Sequence, residues 1–274
     1  MRRIINWQPS RAGAILLGAA PFILLIVLYL IFSDLRLAAN PNDKLLPSPA
    51  RIWDTVLRLA LEEDRRSGTV LLWRDTGASL LRLFIGLGVA TLVGLCVGIA
   101  TGLIPYVRRT LGPLIAIVSM VPPMAVLPIL FIILGLGEVA KIVLIVIGVA
   151  PFLMRDLAIR VAELPREQLV KAQTLAASSW QIVLRVVLPQ IMPRLIDGVR
   201  LSLGPAWLFL IAAEAIAATE GLGYRIFLVR RYLAMDVILP YVVWITLLAF
   251  AMDFLLRLAK RVFFPWAVIG GDKI

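Results

Sequence analysis

Apolar stretches of bilayer length recur along almost the whole chain, and that repetition leaves it few ways to fold. Hydrocarbon offers no water to backbone N–H and C=O groups, so a crossing segment has to satisfy them internally, as a helix does. About twenty apolar residues span the core. Six runs reach or approach that length: Ala14 to Phe32, Leu83 to Ile104, Leu114 to Leu134, Val139 to Met154, Val199 to Thr219 and Val237 to Leu256. The sequence therefore predicts an all-α, polytopic membrane protein with six transmembrane helices. A composition 61% hydrophobic and 16% charged lies far outside the range of a soluble domain. The first run exceeds a signal-peptide core and is read as an uncleaved span.

The net charge of +11 could suggest nucleic acid, but the arginines and lysines cluster at the ends of the apolar runs, where the positive-inside rule puts them. Topology accounts for the charge, and no nucleic-acid partner is expected. The rule places a tail over residues 1–13, with Arg2, Arg3 and Arg11, in the cytoplasm, and a second tail over 263–274 likewise. Every basic cluster fits this arrangement except Arg225, Arg230 and Arg231, which fall on the outer side with no partner for all three evident from the sequence. There is no histidine and one cysteine, which excludes a histidine-ligated metal or haem, a Ser-His triad and a structural disulfide. Cys96 is expected to be a small buried hydrophobe.

Between the spans, residues 33–80 form a charge-balanced loop, as an exported segment does. Within it Ser48 and Pro49 open an amphipathic helix reaching about Glu62, with Ile52, Val56 and Leu59 on one side, to lie on the spans or on a neighbouring subunit. Residues 81–262 are the core of five spans. In the first of these Gly86, Ala90, Gly94, Gly98 and Gly102 recur every four residues, a ridge for close helix approach within the subunit or between two copies. The third run is broken by Pro122, Pro123 and Pro128, and a helix so interrupted belongs beside a cavity.

The polar insert at 163–193 cannot enter lipid. Pro165 suits the first turn of a short helix, with Glu167 near the positive end of its dipole and Leu169, Ala172 and Leu175 on one face. Ser178 with Gln181 three residues on fits a capping box for a second helix, which Pro189 should stop. A helix-turn-helix stranded between two spans invites a grip by a separate soluble protein.

These residues resemble the membrane-spanning permease subunits of bacterial binding-protein-dependent ABC importers. The insert is similar to that family's cytoplasmic motif: Glu-Ala-Ala, three residues, Gly, nine residues, then Ile-x-Leu-Pro. Leu188 and Pro189 match the closing pair, Val186 stands at the Ile position, and Trp180 falls where many members carry an aromatic. The opening departs, with Val170 at the Glu position, Lys171 and Ala172 at the two Ala positions and Ala176 at the Gly position. Glu167, one turn earlier, is the candidate substitute for the motif carboxylate. If the turn needs a positive φ, alanine at 176 costs about 1 kcal/mol; otherwise it sits in ordinary helix. Four segments, LLPSP from Leu45, VPPMAVLPILFIILGLGE from Val121, QTLAASSWQIVLRVVLP from Gln173 and AEAIAATEGLGYRI from Ala213, resemble the nitrate, sulfonate, taurine and bicarbonate branch.

The resemblance implies the type I importer permease fold with cytoplasmic coupling helices, in a bacterial inner membrane with both termini cytoplasmic. It implies a second permease subunit as homodimer partner, two soluble ABC ATPase subunits, and a periplasmic or lipid-anchored solute-binding protein. The chain itself should carry no cofactor, ATP and Mg²⁺ sitting on the ATPase. In agreement, no G-x-x-x-x-G-K-[ST] occurs, and Lys141 lacks the glycines of a phosphate cradle.

Residues Arg166 to Leu188 are then the coupling element, with Arg166, Glu167, Val170, Lys171, Ala172, Leu175, Ala176, Ser178, Trp180, Leu188 and Pro189 as its site residues. The solute path is expected past Met120, Pro122, Pro123 and Met124 and the polar part of the fifth span, with Ser202 and Glu214. Glu214 could equally pair structurally or lie near the outer interface. The solute is a small oxyanion or sulfonate, or a urea-, guanidine- or pyrimidine-precursor-like compound. Of other classes, an ATP-independent channel or exporter would not need the capped insert, and an enzyme would need clustered nucleophiles or metal ligands that are not evident.

Overall fold

The computed structural model describes residues 10–41, 43–64 and 68–268, so most of the two expected tails lies outside the described residues. Every element described is helical: α1 (Arg11–Ala39), α2 (Pro49–Leu61), α3 (Leu71–Leu103), α4 (Pro105–Val118), α5 (Pro123–Leu134), α6 (Glu138–Ala162), α7 (Arg166–Thr174), α8 (Ser179–Ile182), α9 (Leu188–Ala217), α10 (Leu222–Arg230), α11 (Met235–Phe263) and α12 (Pro265–Val268). Five helical stretches are long and apolar enough to cross a membrane, and the α4–α5 pair, bent by 94°, supplies a sixth crossing if counted as one broken span.

α1 stands apart. Its most apolar stretch buries nothing against the rest of the chain. It is moored at one end only, where Tyr29 Oη donates to Pro47 O at 2.6 Å and Ser33 Oγ to Leu46 O at 3.1 Å. Beside that mooring the Leu45 N–H and the Arg36 guanidinium hold the Asp43 carboxyl below the usual carboxylate range. α2 begins as expected, with Ser48 Oγ accepting the Arg51 N–H at 3.3 Å. Its apolar side faces α11 of the same chain across a cavity of about 490 Å³ lined by Ile52, Val56, Leu59, Tyr241 and Trp244. Of the two placements open from sequence, this chain's own spans are the one observed.

The glycine ridge belongs to α3 and is filled from within the subunit. α3 and α6 run parallel, and a Cβ added at Gly86, Gly94, Gly98 or Gly102 would stand 2.5–2.9 Å from the Cβ of Ile145, Leu153, Leu157 or Val161. At these four positions α3 has no room for a side chain of its own. Gly98→Val is expected to cost about 1–3 kcal/mol through forced separation of α3 and α6. Thermal unfolding of detergent-purified protein checks this, and an unchanged transition would mean that the interface yields. Cys96 corrects its expectation: it lies about 200° round the helix from Gly94 and is exposed.

Several boundaries depart from the sequence reading. The first core span starts at Leu71, twelve residues before Leu83, and α1 runs on to Ala39, so the expected loop at 33–80 gives up its last ten residues and its first seven to the flanking helices. The basic turn at Pro105 is already helix α4, and the break expected at Pro122 and Pro123 is a full corner with Pro122 capping α5. Pro189 does not stop the second insert helix. A π-helical turn at Val183–Val187 joins α8 to α9, with the Leu188 N–H reaching back to Val183 O, and the helix runs on. Proline cannot donate to the carbonyl four residues before it, and one widened turn accommodates the missing bond.

At the insert end, α9 is tied to α11 by Lys260 Nζ to Asp197 at 2.8 Å and Arg200 Nε to Asp253 at 2.8 Å. Asp253 also takes Arg257 at i,i+4 spacing.

Candidate functional site

The insert is built from the α7 helix, a tight turn and the start of the long helix. α7 closes with the Ala176 N–H donating to Gln173 O at 2.9 Å and the Ala177 N–H to Ala172 O at 3.1 Å. Those two bonds define a Schellman turn, whose first residue beyond the cap is left-handed and favours glycine. Ala176 occupies that position with φ +59, so the family's Gly position is filled by a residue that bears the left-handed strain. The next helix opens at once: Ser178 Oγ accepts the Gln181 N–H at 3.3 Å, and Gln181 Oε1 accepts the Ser178 N–H at 2.8 Å. The capping box read from the sequence is present on both strokes.

Sequence reasoning missed the clamp that holds this unit. Gln190 Nε2 donates to Gln168 Oε1 at 3.0 Å and to Val186 O at 2.7 Å, tying α7 to the π turn. Leu169, Ala172 and Ala177 pack inward on the core. Leu175, expected on the same face, ends the helix instead and is 75% exposed. Trp180 is 69% exposed and Val170 is exposed too, beside Arg166, Glu167, Lys171, Ala176 and Ser178. Ala172, Leu188 and Pro189 are half-buried. The insert thus leaves a mixed apolar and charged surface open, while its inner side is fixed to the spans.

The opposite end of the bundle holds a buried polar cluster. Glu214, near the end of α9, is 0% exposed. Its carboxylate lies 2.8 and 2.9 Å from Ser79 Oγ, and it accepts Arg82 Nη1 at 2.7 Å and the Gly223 N–H at 2.8 Å. Arg82 also pairs with Glu138, which accepts Lys141 Nζ at 2.7 Å, and donates to Glu220 O at 2.9 Å. Asp75, one turn below Ser79, accepts Arg225 Nε at 2.8 Å, Tyr241 Oη at 3.0 Å and the Gly221 N–H at 3.0 Å. Five helices, α3, α6, α9, α10 and α11, meet here. Gly221 has φ +127, and a Cβ on it would stand 2.6 Å from the Glu214 carboxyl, so glycine is required.

Two of the expected path residues are buried within the subunit. Glu214 faces no open path, because Arg82, Ser79 and Gly223 occupy its oxygens; the structural pairing is the reading observed. Ser202 is buried and donates to Gly198 O at 2.9 Å, a helix's own carbonyl. The other four gather at the α4–α5 corner, where Met120 is 76% exposed, Pro122 and Met124 are exposed and Pro123 is half-buried. Arg225, without a partner on sequence grounds, has Asp75, and Arg230 lies 5.0 Å over the Phe227 ring. The signal for the cluster was available: Asp75, Ser79 and Arg82 share one helical face at i, i+4 and i+7.

Comparison with known proteins agrees with this geometry. The chain is 35% identical over 265 residues to the taurine transport system permease protein TauC of Escherichia coli, covering 96% of this chain and 94% of that one. It is 27% identical to the putative aliphatic sulfonates transport permease protein SsuC of the same organism, with 92% and 93% covered. To the bicarbonate transport system permease protein CmpB of Synechococcus elongatus it is 29% identical, with 81% and 79% covered. Among solved structures, a chain from inward-facing conformations of the MetNI methionine ABC transporter superposes with a TM-score of 0.62 at 24% identity, over 70% of this chain and 95% of that one, which gives the type I importer permease fold. Residues 90–267, from the glycine ridge through the insert to α12, match the family described as binding-protein-dependent transport system inner membrane component, and the chain belongs to that family.

Proposed function

We propose that this chain is the permease subunit of an ATP-driven importer for a small sulfonate or oxyanion of the taurine type. Two copies form the path, two soluble ATPase subunits grip the two inserts, and an external binding protein delivers the solute. The observation that carries this reading is the insert itself: a twice-capped helical unit clamped to the spans on one side and open on the other. Its drive must come from another chain, because no phosphate-binding loop is present. The arginines around the insert, Arg155, Arg160, Arg166, Arg185 and Arg194, support a cytoplasmic insert, and a count of six crossings supports cytoplasmic ends. The sulfonate assignment rests on the taurine and sulfonate permease relatives, each matched over nearly the full length.

ATP binding closes the ATPase pair, and the insert transmits that motion to α6 and α9, switching the opening from one side to the other. The test is uptake by proteoliposomes holding the permease, its ATPase and the binding protein encoded beside it. Labelled taurine should accumulate only with internal ATP and with the binding protein outside. Accumulation without ATP would assign a channel, and uptake of urea or guanidine in place of any sulfonate would move the solute class.

A further inference from the structure

A second site lies at the insert end, away from the coupling surface. A pocket of about 310 Å³ opens between the end of α3, α4 and the end of α6, lined by Thr101, Arg108, Ile115, Met154, Arg155 and Ile159. Its walls are apolar apart from two guanidinium groups and one hydroxyl. Arg108 is fixed at the wall by Nε to Thr101 O at 3.1 Å and a further bond to Gly102 O, the last carbonyls of α3. Both partners are neutral, so its charge is uncompensated there. Arg155 has no hydrogen bond or ion pair among the described residues; the neighbouring Asp156 is engaged by Arg160 at 3.6 Å. Thr101 is 4% exposed, and its Oγ1 finds no partner. A buried hydroxyl left unmatched is a cost that an incoming oxygen relieves.

We propose that this pocket binds an anionic phospholipid, its phosphate between Arg108 and Arg155 and an acyl chain along Ile115, Met154 and Ile159. Charge complementarity selects the occupant: two arginines without acidic partners want an anion, and the apolar walls want a chain attached to it. Basic pockets between spans on the cytoplasmic side suit such headgroups. The leaflet concerned rests on the orientation given under Proposed function. Lipid retention needs no transport, so failure here and failure of that reading are distinguishable.

The test is native mass spectrometry of the full chain, with its ATPase where that copurifies, released from micelles containing phosphatidylglycerol and phosphatidylethanolamine. At about fivefold per arginine, the wild type should retain phosphatidylglycerol about thirtyfold over phosphatidylethanolamine. Arg155→Gln, an exposed residue whose loss does not threaten folding, should cut that preference about fivefold, and Arg108→Gln/Arg155→Gln should abolish it. Arg109→Gln/Arg194→Gln, exposed arginines outside the pocket, should keep it. The proposal is overturned if the wild type shows no preference, if the pocket variants keep it, or if the control pair loses as much. Displacement of the lipid by millimolar methanesulfonate would assign the pocket to a free anion and overturn it as well.

Discussion

Replacing Arg82 by methionine should destabilise the protein by about 3–5 kcal/mol, the largest loss expected of any single change in the cluster. The substitution removes the one guanidinium that the described residues put on Glu214, whose carboxylate is fully buried and would be left with Ser79 Oγ and one backbone N–H as donors. Arg82→Lys should lose less but still measurably, because an ammonium cannot fork across Glu214, Glu138 and Glu220 O as the guanidinium does. Glu214→Gln in the Arg82→Met background should recover part of the loss. The amide still accepts from Ser79 and Gly223, and no buried charge is stranded. Glu138 tolerates either change better, since it is exposed and retains Lys141. Thermal unfolding of the detergent-purified variants reads all three. If Arg82→Met unfolds with the wild type, or the double variant is no better than the single one, the cluster is not what holds the five helices together.

Leu175→Asp should weaken ATPase association about 30- to 1,000-fold, the range expected when an apolar anchor at a docking surface is lost. Leu175 sits on the Schellman turn with three-quarters of its surface uncovered, and its neighbours Val170 and Trp180 are also open. Ala176→Asp tests the same surface without threatening the turn, since aspartate tolerates the left-handed conformation that Ala176 adopts. Ala176→Gly is the contrast: it relieves about 1 kcal/mol of strain and should leave association intact while raising stability. Pull-down of the ATPase with tagged permease separates these outcomes. Undiminished association of both aspartate variants would take the coupling role away from the insert.

What the chain declares and what it conceals divide along a physical line. Features set by neighbours within a turn or two were legible: the Ser48 cap, the capping box at Ser178 and Gln181, and the four-residue ridge from Gly86 to Gly102. The start of α3 was not. Arg74 and Asp75 fell in the loop at 33–80 and Arg82 stood outside the apolar run that starts at Leu83, because their partners, Glu220, Arg225 and Glu214, lie more than 130 residues away. Burial in lipid-like surroundings is expensive for one charge and acceptable for a paired set, and pairing at that distance leaves no local trace. Glu214 was suspected of lining a path for the same reason, its guanidinium partner Arg82 lying 132 residues away in sequence. Pro189 misled because a proline ends a helix only when the chain cannot widen around it, and here one π turn absorbs the missing donor.

That widened turn leaves the polypeptide helical without interruption from Ser179 to Ala217, 39 residues in all, about 58 Å at 1.5 Å per residue. Trp180 rides at one tip of this rod, and Glu214, pinned by Arg82 and Ser79, sits near the other. A push delivered at the tryptophan therefore reaches the opposite face of the membrane with no slack strand in between to take it up. The π turn at Val183–Val187 is a compliant joint in this rod, beside the ladder bonds lost at Pro193 and Pro205, and stiffening or loosening that joint should change how faithfully the two ends of the molecule move together.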